Sequence, residues 1–268
     1  MMIPQPDLDA FQRTNPMAAT RRPDPKPPGT LHDTGLSRDF VADLLLRTLD
    51  RHRTRAALEL AADIALGYPV IAPVLDALRA RSWIAVDSLQ GAAGLGYRYR
   101  LTDAGRTRAA ESARRCAWAG PAPVPLADFE RRVRGQSIRR RTVHPRQLKR
   151  QLADLTLPDE LLEQLGPALV GGHSIFLHGA PGNGKSAIAE RLAGVHDDPI
   201  HLPHAIEVDG QIIAVYTEGI HQPVDDSNGA SAHGDGRWMK IRRPAVLAGG
   251  ELTLADLELH FDPRTGIH

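Results

Sequence analysis

Eight consecutive residues carry the clearest chemistry in this chain: Gly179, Ala180, Pro181, Gly182, Asn183, Gly184, Lys185 and Ser186. They satisfy the pattern G-x-x-x-x-G-K-[ST], in which a glycine-rich loop cradles phosphate. Glycines at 179, 182 and 184 let the backbone approach an anion with no Cβ in the way. The N–H groups of such a loop, and of the helix it opens, point at the anion. Lys185 is placed to reach the β- and γ-phosphates, and Ser186 to offer a hydroxyl to Mg²⁺. The expected ligand is therefore a nucleoside triphosphate with magnesium. ATP is favoured over GTP, because no Asn-Lys pair that could begin an Asn-Lys-x-Asp guanine-reading motif occurs.

Chemistry of this kind needs a strand before the loop and a helix after it. Ser174 to His178 (SIFLH) is a short apolar run that fits a buried strand, and Ala187 to Ala193 reads as a helix with Ile188 and Leu192 on one face. Pro158 can start an earlier helix, with Asp159 and Glu160 in its first turn as the helix dipole prefers, and Gly166-Pro167 should end or kink it. Beyond the loop, Ile206 to Tyr216 reads as two strands around an Asp209-Gly210 turn.

The N-terminal half has a different pattern. Residues 1–35 are proline-rich and read as a flexible arm. Within 36–116, Ser37 can cap a helix carrying Phe40, Val41, Leu44, Leu45 and Leu49. Thr54 can cap a second, carrying Leu58, Ala61 and Ile64, with Gly67 as its stop. A third begins near Pro69, with Pro73 expected in its first turn. Two strands, Trp83 to Val86 and Tyr97 to Leu101, flank a Gly91–Gly96 turn, and Thr102 opens a final helix. This order, with Leu101-Thr102-Asp103-Ala104-Gly105-Arg106 after the second strand, resembles a bacterial winged helix-turn-helix domain. A linker is expected at 117–126 (AWAGPAPVPL), inside a broader linker and basic segment, 117–157. Residues 131–150 carry nine Lys/Arg and no acid, a run that fits a solvated helical face or a phosphate-attracting one.

His178 to Ser186, with its Pro181-Gly182 pair, resembles the Walker A motif of AAA+ ATPases. Together with Pro199 to Tyr216 and Gly249 to Leu254, it is similar to a family of bacterial AAA+ ATPases with an N-terminal winged-helix-like region. The resemblance implies a mixed fold: a winged helix-turn-helix domain at 36–116, mainly α with a small hairpin, then the N-terminal portion of an α/β P-loop domain at 158–268. It also implies ATP hydrolysis, homo-oligomerisation, and remodelling of a protein or nucleic-acid partner. Two other readings stand beside it: a DNA-binding regulator switched by nucleotide, with Arg98, Arg100, Arg106 and Arg108 meeting phosphates, and a truncated chain that binds ATP without hydrolysing it efficiently.

The sequence departs from the family at the catalytic step, which requires an apolar strand ending in Asp-Glu. Leu252 to Glu258 (LTLADLE) comes nearest, but Leu257 separates its acids, and Asp225-Asp226 lies in a polar stretch. No catalytic residue is therefore named. His196, His201, His204, His221 and His233 are irregularly spaced and suggest no zinc site. The 268 residues contain one cysteine, Cys116, so no intrachain disulfide can form. No run approaches the ~20 apolar residues of a membrane span, and a cytoplasmic location is expected.

Overall fold

Ser37 begins the first helix as its chemistry suggests: its Oγ accepts a hydrogen bond from the Phe40 N–H at 3.2 Å, satisfying an orphan donor of the first turn. The computed structural model describes residues 23–89, 96–138, 143, 145–170, 175–196, 198–224, 234–245, 253, 258, 260–265 and 267. Helix α1 (Arg38–Arg51) sinks Val41, Leu44, Leu45, Leu46 and Leu49 into the core. Helix α2 (Ala57–Asp63) starts later than Thr54 would place it. Arg55–Ala56 form a short strand, β1, and the Glu59 carboxylate accepts from the Ala56 N–H at 2.8 Å. A glutamate inside the first turn thus does the capping, and Thr54 is not needed.

Two further expectations shift by a turn. Helix α2 closes through Ala65, which adopts a left-handed φ of 53°, while Leu66 N–H bonds back to Ala61 C=O at 3.0 Å. Gly67 accordingly stands as the N-cap of α3 (Tyr68–Ala80) rather than as the stop of α2. Pro73 is interior to α3, not in its first turn. It lies on the exposed side, where water can serve the carbonyl left without a donor four residues earlier. Leu58 is 53 % exposed and does not join the face formed by Leu60, Ala61 and Ile64.

Strands β2 (Ile84–Leu89) and β3 (Tyr97–Leu101) pair antiparallel with Ile84 opposite Leu101, and β1 adds to the other side of β3, giving the order β1-β3-β2. The turn at 91–96 falls largely outside the described residues. Thr102 then caps α4 (Asp103–Arg115), its Oγ1 accepting from the Gly105 N–H at 3.0 Å. Gly105 is required by crowding: a Cβ there would sit 1.8 Å from the Trp83 carbonyl oxygen. The Leu-Thr-x-x-Gly phrase therefore records a cap and a close helix–strand approach in one motif.

The stretch expected as a linker is instead packed. Arg47 Nε donates to Trp118 C=O at 2.8 Å and Arg51 Nη1 to Ala119 C=O at 2.9 Å. Ala122 N–H bonds Ile64 C=O at 2.8 Å, and Ala122 and Val124 are buried. Proline-rich backbone has few donors of its own, so its carbonyls are satisfied by arginines from α1. β4 (Val124–Pro125) then pairs parallel with β6 (Ala205–Val208), and α5 (Leu126–Gln136) follows.

After the loop, β5 (Ile200–Pro203) pairs antiparallel with β8 (Trp238–Ile241). β6 (Ala205–Val208) and β7 (Gln211–Ala214) form the expected hairpin. Asp209 and Gly210, at φ 50° and 81°, supply the paired positive φ values of a tight two-residue turn.

The chain forms two compact units that are not contiguous in sequence. One comprises Asp24–Ser137 with His196–His268; the other contains Ile138–Val195. The span 158–268, read from sequence as one domain, is thus divided between them after Val195. The second unit holds α6 (Pro145–Gln151), α7 (Asp159–Val170) and α8 (Lys185–Ala193). Helix α7 continues through Gly166-Pro167 to Val170, so of the two expected effects, an end or a kink, the pair does not produce the end. The unit's small core joins Val143, Leu148, Leu152, Leu165, Ile188, Leu192 and Val195.

Candidate phosphate-binding loop

The loop at 179–186 is built by three glycines in conformations that side chains resist. Gly179, Gly182 and Gly184 have φ of 146°, 85° and 72°. A Cβ added at any of them would meet nothing within 4 Å. Backbone geometry, not crowding, therefore demands glycine here, and the space beside each stays open to an incoming group. Gly184 is the N-cap of α8, its carbonyl receiving the first helical hydrogen bond from Ile188 N–H at 2.9 Å. Lys185 and Ser186 are the first two helical residues, and Ser186 is exposed.

Lys185 bends back over the loop. Its ammonium donates to the Gly179 carbonyl at 3.0 Å and the Ala180 carbonyl at 2.8 Å. These bonds hold a positive charge over the glycine-rich turn. Ala180, Pro181 and Asn183 line the same turn and are exposed. An open cradle, a helix N-terminus, an ammonium and a hydroxyl form a donor set that fits a polyphosphate and its magnesium.

The helix behind the loop is held from its far face. Ile188 and Leu192 enter the small core, and Arg191 forks onto Asp154 with Nη2–Oδ2 at 2.7 Å and Nε–Oδ2 at 3.1 Å. Hydrogen bonding from Arg191 lowers the Asp154 carboxyl below the ordinary carboxylate range. Gln147 of α6 donates to the Val195 carbonyl at 2.7 Å where α8 ends.

The residues before the loop behave differently from expectation. Ile175 to His178 form no strand; Ile175 is 37 % exposed and Phe176 86 % exposed, with its ring 6.0 Å from that of His178. A strand exists only against a partner, and among the described residues every sheet is built from residues of the other unit. Exposure of the apolar run follows from that. Of the segment 252–258, only Thr253 and Glu258 are described, and Asp225-Asp226 and His233 lie outside the described residues.

Among the described residues, no group of three or more His, Cys, Asp and Glu is placed to hold a metal ion. His204 instead packs against Tyr216, with ring centroids 5.9 Å apart, and burial pushes its imidazole below the ordinary value. His221 accepts from Thr217 N–H at 2.9 Å. Among the described residues, no single helix is long and apolar enough to cross a membrane.

With this geometry in hand, residues 152–224 match the family described as magnesium chelatase, subunit ChlI, an AAA+ family domain. The matched stretch contains the whole loop, α8 and the β6–β7 hairpin. It supports an AAA+ ATPase-like relationship for this part of the chain, and with it nucleotide binding and a general dependence on ATP and Mg²⁺. No curated protein and no solved structure matches the chain.

Proposed function

We propose that the chain is a cytoplasmic ATP-binding unit of AAA+ type, using Gly179 to Ser186 for the triphosphate and the Ser186 hydroxyl for Mg²⁺. The observation that carries this reading is the loop itself: three positive-φ glycines with open space beside them, ending at a helix whose first residue is Lys185. The AAA+ match across 152–224, which includes the loop, agrees with it. Magnesium, when bound, supplies charge neutralisation between the β- and γ-phosphates. Lys185 would exchange its two carbonyl partners for phosphate oxygens, a charge-assisted and stronger bond. Hydrolysis, oligomerisation and remodelling of a partner belong to the same reading, with no residue of this chain assigned to activating water.

Titration with a fluorescent ATP analogue and Mg²⁺ tests it. Lys185→Ala should weaken binding by about tenfold or more, the effect of losing one or two charged hydrogen bonds. Equal affinity in the variant would remove the loop from the site.

For residues 36–116 we propose a winged-helix domain that docks protein and not duplex DNA. The order α1-β1-α2-α3-β2-β3-α4 and the sheet β1-β3-β2 support the domain type. The choice of partner rests on charge. Arg98 faces Glu59 at 3.5 Å, Arg100 faces Asp87 at 3.4 Å, Arg106 faces Asp103 at 2.5 Å and Arg108 faces Asp43 at 2.8 Å. Helix α3 exposes Pro69, Pro73, Asp76 and Arg79, the last two paired with each other at 3.7 Å. Such a surface has little charge left for phosphates, which dominate DNA affinity. A salt-dependent gel shift of this chain with duplex DNA would overturn the assignment.

A further inference from the structure

Phe176 is the most exposed large apolar side chain among the described residues, at 86 %. It lies three residues before the glycine loop and in the same compact unit. Leu177, next to it, packs against the small core that also takes Ile188 and Leu192 of α8. Phe176 and His178 are both exposed, and their rings stack 6.0 Å apart with 24° between planes. Two residues on one side with the intervening one on the other is the alternation of an extended chain. Leu177 therefore anchors the segment, and the two rings stand together in water.

This aromatic pair runs directly into the loop. His178 is bonded to Gly179, whose carbonyl accepts from the Lys185 ammonium at 3.0 Å. Three residues of chain span at most about 11 Å. The sugar and phosphate chain of one nucleotide can bridge that distance. The loop itself offers groups for phosphate and magnesium and none for a base. An aromatic ring with an open face supplies what is missing, since every nucleobase has a π-face to stack on it. Covering the ring also removes apolar surface from water, which favours the bound state.

We propose that Phe176, backed by His178, is the base platform of the nucleotide site: the purine of the triphosphate lies on the Phe176 ring while its phosphates occupy Gly179 to Ser186. The inference rests on the phosphate reading of the loop. His178 has a positioning role, holding the Phe176 ring by stacking on it. Leu177 fixes the pair to the core that carries α8, so platform and loop share one foundation. A stack reads no base edge; it favours a base over no base and sets no choice between adenine and guanine.

Calorimetric titration of the full chain with Mg²⁺-ATP and with Mg²⁺-tripolyphosphate, which has the phosphates and no base, separates the two parts of the site. The wild-type chain should bind ATP the more tightly. Phe176→Ser should weaken ATP about fivefold or more, the low end for one base–aromatic stack, and leave tripolyphosphate unchanged. Phe176→Leu, apolar but without a π-face, should do the same, while Phe176→Trp should keep ATP affinity. His178→Ala should weaken ATP alone, and His178→Phe should restore it. In Phe176→Trp the added indole should be quenched by Mg²⁺-ATP and not by Mg²⁺-tripolyphosphate. Absence of that quench overturns the proposal even where tripolyphosphate binds too weakly to titrate. Unchanged ATP affinity in Phe176→Ser overturns the platform alone, provided Lys185→Ala still weakens both ligands. Equal loss of both ligands in Phe176→Ser overturns it as well, because the ring would then be shaping the loop. Tripolyphosphate binding that survives Lys185→Ala strikes the phosphate reading of the loop, and the platform with it.

Discussion

The unit built around α1 and the unit built around the loop handle apolar surface in opposite ways. In the first, Leu44, Leu45, Leu46, Leu60, Ile64 and Ile71 are all completely buried, and even a proline-rich stretch is drawn in and bonded. In the second, Ile188 and Leu192 remain 6 % and 8 % exposed, while Phe176 lies almost entirely in solvent. Their glycines differ in the same sense. Gly105 is pressed against a carbonyl, whereas Gly179, Gly182 and Gly184 have open space where a Cβ would go. Core packing stabilises the first unit from within. The second leaves its loop open, and a ligand that bound the folded form there would add to its stability.

That contrast can be broken by substitution. The largest effect should come from Gly105→Ala, whose new methyl meets the Trp83 carbonyl; a loss of more than about 3 kcal/mol is expected in urea denaturation, as for other buried steric conflicts. Leu45→Ala should cost about 3 kcal/mol, and Leu192→Ala nearer 2 kcal/mol because its site is less enclosed. Equal costs would show that the two cores are equally packed. Next, Mg²⁺-ATP at about a hundred times its Kd should stabilise residues 138–195 by about 2.7 kcal/mol, read as slowed hydrogen exchange confined to that unit and absent in Lys185→Ala. The smallest effect belongs to Phe176→Ser, which should change stability by less than about 0.5 kcal/mol because the ring has so little contact to lose. A larger loss would mean that the ring is covered in solution.

Much of the fold could be read from residue order. The Ser37 and Thr102 caps, the β3 span, the Asp209-Gly210 hairpin and the helix after the loop all rest on neighbours a few positions apart, and all are present. Misreadings arose where a distant group decides. Thr54 is passed over because Arg55–Ala56 pair with β3 and Glu59 caps instead. Residues 117–125 are docked because Arg47 and Arg51 reach their carbonyls. His201 drew notice only as one of several scattered histidines, since nothing local tells that its ring meets Asp24 and its backbone Gln136, both more than sixty residues away in sequence.

The sequence alone determined the loop. Glycine spacing, a following lysine and serine, and a helix-forming tail are local properties, and local physics turns them into an open glycine turn with Lys185 bonded over it. Tertiary structure decided what surrounds it. It paired Arg98, Arg100 and Arg108 with carboxylates from other elements, returned the chain at His196 to the unit it had left at Ser137, and left Phe176 in solvent. Charge pairing, chain return and burial depend on which distant residues meet, and no short stretch of sequence specifies that.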